Sequence, residues 1–154
     1  MTIGDKQRPQ RLSGVLTRDM RTQFGALCYR VLRDKTKVLL GTSRDTERWV
    51  IPEGWPIEGA TPADSAAREA WEEAGVEGRV QPVCLGIYSY LKRPADGGVP
   101  CVVAVYPLKV KKLADDFPEA SERRRKWAGP KKAAGLVDEP ELAALLRRFD
   151  PRKL

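Results

Sequence analysis

Between Glu53 and Val76 the chain reads EGWPIEGATPADSAAREAWEEAGV, and no other stretch restricts its folding as tightly. Two glycines and a proline within EGWPIEG argue against regular structure up to Gly59. A helix is then expected from Pro62. Thr61 is a good N-cap, proline suits the first helical position, and Asp64 stands three residues after the cap. Gly75 is a natural stop. On this helix Ala66, Ala67, Ala70 and Ala74 allow close approach to a sheet. Glu69 and Glu73 are i,i+4 neighbours and Glu69 and Glu72 are i,i+3 neighbours, so the three carboxylates are expected in one sector about a turn long. Arg68 stands one turn before Glu72 and can pair with it. Like charges at this spacing repel unless a cation compensates them. Oxygen-only ligands suit Mg2+ or Mn2+ better than zinc or copper. The alternative is a solvated acidic patch.

The flanking segments set the fold class. TQFGALCYRVL (22–32) and KVLLGTS (37–43) read as two strands of a hairpin, and RWVIP (48–52) as a short strand ended by Pro52. RVQPVCLGIYSYL (79–91) and VPCVVAVYPLKV (99–110) read as two longer strands around a KRPADGG loop. A charged connection leads to a short strand near Trp127, then GPKKAAGLV gives one or two helical turns. EPELAALLRRF (139–149) forms an amphipathic helix with Leu142, Leu145, Leu146 and Phe149 on one side. Strands interleaved with helices imply an α/β fold, a mixed sheet between helices on both faces. Residues 1–21 read as a basic arm carrying Lys6, Arg8, Arg11, Arg18 and Arg21, and 22–150 as a single domain.

Composition narrows the chemistry. The chain has no histidine, which removes Ser-His-Asp and Cys-His catalysis and histidine-ligated zinc. Cys28, Cys84 and Cys101 are widely spaced in apolar stretches and read as reduced thiols. No apolar run approaches the ~20 residues of a membrane span. MTIGDKQRPQRLSG lacks the apolar core of a secretory signal, so a cytoplasmic protein without a membrane partner is expected. A net charge of +7 points to a polyanionic partner or merely to solubility.

The stretch from Gly54 to Val76 resembles the Nudix box, in which Gly is followed after five residues by Glu and after seven more by Arg-Glu-apolar-x-Glu-Glu-x-Gly-apolar. Gly54, Arg68, Glu69, Ala70, Glu72, Glu73, Gly75 and Val76 match, and the one departure is Ala60, where the family has its first glutamate. Glu58 and Glu53, in the same loop, are candidates to replace it. TSRDTERWVIPEGW and RRRKW further resemble the branch that cleaves diphosphoinositol polyphosphates and dinucleoside polyphosphates, which carries a Ser-Arg turn, an Arg-Trp strand and a basic run before a tryptophan.

The resemblance implies a Nudix-like α/β/α sandwich and a metal-dependent pyrophosphohydrolase. Glu69, Glu72 and Glu73 would hold Mg2+ or Mn2+, Glu69 would be the base, and Arg68 would orient the glutamates. Glu119, Glu122, Asp115 and Asp116 in a later loop are alternative bases. Ser43, Arg44, Arg48, Gly54, Trp55, Arg123 and Arg125 would bind substrate, arginine forks taking phosphates and Trp55 stacking on a base. Trp49 is expected in the core. The implied partner is a polyphosphorylated small molecule or nucleotide, or an RNA 5′ end; the alternative functions are an RNA 5′ pyrophosphohydrolase and a catalytically weakened Nudix-fold binding module. A monomer or homodimer would serve either.

Overall fold

The computed structural model describes residues 21–91 and 98–154. The basic arm up to residue 20 and most of the KRPADGG loop lie outside these residues. Eight strands form one mixed sheet: β1 Arg21–Leu32, β2 Lys35–Thr42, β3 Trp49–Val50, β4 Glu53–Gly54, β5 Val76–Val80, β6 Gly86–Leu91, β7 Pro100–Leu113 and β8 Arg125–Ala128. The helices are α1 Pro62–Ala74, α2 Pro130–Leu136 and α3 Pro140–Arg147.

Strands β1 and β7 pair in parallel along nine register positions from Arg21↔Cys101 to Tyr29↔Lys109; the other pairs are antiparallel. Because both central strands are covered on each face, their sequences are apolar without interruption rather than alternating. Ala26 and Cys28 of β1, with Leu39 and Leu108, pack under Ala66, Ala70 and Ala74 of α1. Leu27 and Tyr29, with Val103 and Val105, pack under Leu142, Leu145 and Leu146 of α3. The expected three-layer α/β/α arrangement is present.

The feature that positions the site is a fork. Strands β1 and β2 pair only near their hairpin, from Tyr29↔Val38 to Leu32↔Lys35. Beyond it, segment 49–54 enters between them. Val50 pairs with Gly41 of β2, Glu53 pairs with Gly25 of β1, and the Ala26 N–H donates to the Pro52 carbonyl at 2.9 Å. A side chain at Gly25 would crowd Val103, the Pro52 carbonyl and Ile51, at 3.0–3.3 Å.

Two expectations are corrected. Glu53 and Gly54 form a short strand, because β1 offers them a free edge that sequence alone does not reveal. The stretch 79–91 is two strands, because Pro82 has no N–H to donate and the chain turns there before β6 begins at Gly86. Helix α1 has the expected ends: the Thr61 hydroxyl accepts from the Asp64 N–H at 3.1 Å, and Gly75 closes it at φ 68°. Among the described residues no helix is long and apolar enough to cross a membrane.

Candidate active site

The buried stripe of α1 runs Ala63, Ala66, Ala70, Ala74. Glu69 and Glu73 each precede a stripe residue by one, which turns their carboxyls toward the fork, directly over β4. The Glu69 carboxyl lies so close to Gly54 that a methyl there would overlap it. The Glu53 N–H donates to Glu73 Oε1 at 3.3 Å. The two carboxyls lie close over β4 and interact electrostatically. Burial pushes Glu73 up to about 9, opposed by the Arg123 guanidinium and reinforced by Glu69. Glu69 is raised too, again chiefly by burial.

Glu72 points elsewhere. Its side chain is partly exposed, it pairs with Arg68 Nε at 3.3 Å, and it does not line the cleft. The expected cluster of three is therefore realised as a pair, since residues 72 and 73 stand about 100° apart around a helix axis. Among the described residues no three acidic or cysteine side chains are gathered as a ready-made cage for an ion. The pair nevertheless fits a hard divalent cation: its donors are all oxygen, and burial disfavours two adjacent negative charges there without a compensating cation.

The pair opens on a cleft of about 300 Å3. Arg123, with a side chain only 9% exposed, braces one wall. Its Nε donates to Glu119 Oε1 at 2.6 Å, one terminal nitrogen donates to the Thr42 carbonyl at 2.8 Å, and the other lies 3.9 Å from Glu73 Oε1. Of the later-loop acids, Glu119 lines the cleft, Glu122 pairs with Arg44 at 3.3 Å, and Asp115 and Asp116 are exposed. Arg44, half-exposed, and Trp55, 43% exposed, stand at the mouth. Ser43 shapes the turn, accepting the Arg48 N–H at 3.1 Å. Arg48 donates to Glu139 Oε2 at 2.6 Å while still lining the cleft.

Arg125 lies outside the cleft. Its guanidinium donates to the Ala74 carbonyl at 2.9 Å and the Ala114 carbonyl at 2.8 Å, fastening the end of α1. Trp49 is half-buried against the core, under Arg124. The loop candidates to replace the glutamate absent at Ala60 also separate: Glu58 is exposed and away from the cleft, whereas Glu53 lines it.

Sequence reasoning named Glu53 but missed the partners around it, Tyr88, Tyr90 and Gln23. Burial raises the Glu53 carboxyl, and the hydrogen bond from Tyr88 acts against the rise. The Tyr88 hydroxyl donates to Glu53 Oε2, and the Tyr90 hydroxyl to Gln23 Oε1 at 2.8 Å. The alternation in GIYSYL, which sets Tyr88 and Tyr90 on one face, was the available signal.

Residues 21–149 match the family model of the NUDIX domain. The chain belongs to the Nudix family. Among related Nudix proteins, Nudix hydrolase 12, mitochondrial, of Arabidopsis thaliana is 32% identical over 122 residues, 75% of this chain and 59% of the relative. Human diphosphoinositol polyphosphate phosphohydrolase 3-alpha is 32% identical over 103 residues, 66% of this chain and 59% of that protein. The chain thus spans about three-fifths of the length of these curated relatives. The crystal structure of a binary complex of the C. elegans Ap4A hydrolase superposes with a TM-score of 0.69 at 26% identity, covering 84% of this chain and 94% of that one. The Nudix box of the family is the segment from Gly54 to Val76, whose glutamates meet over β4.

Proposed function

We propose that this Nudix chain hydrolyses a phosphoanhydride bond in a highly phosphorylated substrate, a diphosphoinositol polyphosphate or a dinucleoside polyphosphate, with Mg2+ or Mn2+. The observation that carries the reading is that Glu69 and Glu73 line one cleft together with Arg44, Arg48 and Arg123. The kinship with hydrolases of both substrate classes supports it.

Glu69 and Glu73 would hold the cation, which would displace any proton on the pair into solvent. The bound metal supplies charge neutralisation for phosphate oxygens and a water of lowered pKa. Glu53 fixes Glu73 through its backbone N–H, and Gly54 leaves space for the Glu69 carboxyl. Arg123 holds Glu119 at the cleft, where that carboxylate can accept a proton from an attacking water. Glu69 is the alternative base. Arg44 is exposed enough to leave Glu122 for a substrate phosphate. Glu72 and Arg68 keep one another in place on the outer side of α1. Cys28, Cys84 and Cys101, all outside any disulfide, support a reducing compartment such as the cytoplasm.

A panel of phosphoanhydrides incubated with Mg2+ or Mn2+, with products separated by charge, tests the proposal. Glu73→Gln is expected to lower turnover by at least about 100-fold, the scale of losing one positioned catalytic group. Tight binding of the same compounds without product, even at high Mn2+, would sink the enzyme reading and leave a binding module.

A further inference from the structure

The basic character of the chain led to an expectation of positive charge around the substrate cleft. The structure distributes it differently. Five carboxyl groups line the cleft (Asp45, Glu53, Glu69, Glu73 and Glu119) against the guanidinium groups of Arg44, Arg48 and Arg123. A second concavity, at the hairpin end of β1 and β2, is lined by Lys131, Lys132, Arg147, Arg148, Arg152 and Lys153. Only Asp34 and Asp150 oppose them there. The two concavities share no lining residue and lie at opposite ends of β2, about 20 Å apart at ~3.3 Å per strand residue.

These cations come from three separate places: the start of α2, the end of α3, and the final turn Pro151–Lys153. The packing of α2 against α3 brings them together, and all are exposed. Arg152 is engaged with Asp150, at 3.0 Å and 2.9 Å. The side chains of Lys131, Lys132, Arg147 and Arg148 make no hydrogen bond or ion pair among the described residues. Four like charges without a carboxylate partner among the described residues repel each other around one hollow, and an anion with several charges removes that repulsion.

We propose that this concavity is a second anion site of the protein, separate from the hydrolytic cleft, and that it takes a compact, small-molecule polyphosphate. The chemistry of its lining favours phosphate groups over nucleic acid. Its one aromatic residue, Phe149, is buried and packed edge-on against Tyr29 at 5.1 Å, so no ring is presented for base stacking. Lysine and arginine together give both point charges and forks for phosphate oxygens.

Calorimetric titration with inorganic tripolyphosphate in EDTA at low salt tests this. Neither turnover nor a divalent cation is involved, so the result stands apart from the proposed hydrolysis. The charge pairs are removed by R147Q/R148Q and, on the other helix, by K131Q/K132Q, all at exposed positions. Each double variant is expected to bind at least tenfold more weakly than the parent, and Glu73→Gln to bind as the parent does. The site is refuted if the parent gives no binding heat, or if either double variant stays within twofold of it. A single-stranded oligonucleotide of equal phosphate count that binds more tightly than tripolyphosphate, and is lost in the same variants, overturns the small-molecule assignment in favour of nucleic acid.

Discussion

A single methyl group at position 54 would overlap the Glu69 carboxyl, so the box glycine is required by close approach and not by backbone conformation. Gly54→Ala is expected to displace Glu69 and reduce hydrolysis at least tenfold. The fold should hold, because the residue ends a short strand at the edge of the fork; comparing kcat with thermal denaturation separates the two effects. Glu73 carries a second prediction. In the folded metal-free protein burial keeps its proton on up to about pH 9, whereas the unfolded chain releases it near the ordinary glutamate value of 4.5. Between these values the folded state binds more protons, so stability falls as pH rises through the window. Melting of EDTA-treated protein should therefore shift down from pH 6 to pH 9. Glu73→Gln should flatten the shift and added Mg2+ should oppose it, and a parent curve that is flat with pH would contradict the buried, protonated Glu73. Sequence spacing announced Glu69 and Glu73 through their helical interval. It could not tell which of Glu72 and Glu73 faces the sheet, because that depends on how α1 is rotated on a sheet not yet built.

At the scale of elements, legibility followed locality. Helix α1 was readable in full because its cap, its proline and its terminal glycine are all within the segment they define. The two-residue strands β3 and β4 were not, since so short a run has no period and exists only because β1 and β2 separate. The same holds for Arg125. Its neighbours in RRRK suggest a phosphate-binding run, but it donates to two carbonyls, Ala74 at the end of α1 and Ala114 after β7, and lies over the Phe117 ring at 4.9 Å. Arg125→Met removes the charged donor from both partly buried carbonyls. It should destabilise the fold by roughly 2–3 kcal/mol, the scale of hydrogen bonds to a charged group. Denaturant titration measures the loss. Because Arg125 does not line the cleft, KM of the folded fraction should change little; a rise in KM without loss of stability would instead place Arg125 at the substrate.

Over the whole molecule, the charge pattern separates two kinds of anion binding that a net charge of +7 merges. The cleft has more carboxyls than guanidiniums, and Arg123 and Arg48 are already engaged by Glu119 and Glu139 at 2.6 Å each. A polyphosphate entering it alone meets Glu69 and Glu73, so in the proposed mechanism its charge would be offset by a divalent cation held between them. Affinity of the cleft for a non-hydrolysable dinucleoside polyphosphate should accordingly fall by at least ~100-fold when the metal is chelated, about 2.7 kcal/mol. The distant concavity needs no such mediation, because its lysines and arginines face the anion directly. The two are resolved by titrating the R147Q/R148Q variant with the analogue, with and without EDTA. In that background the remaining heat should appear with Mg2+ and vanish with chelation. Binding that persists unchanged in EDTA would assign the phosphates to Arg44 and Arg48, and would remove the glutamate pair from its place in substrate recognition.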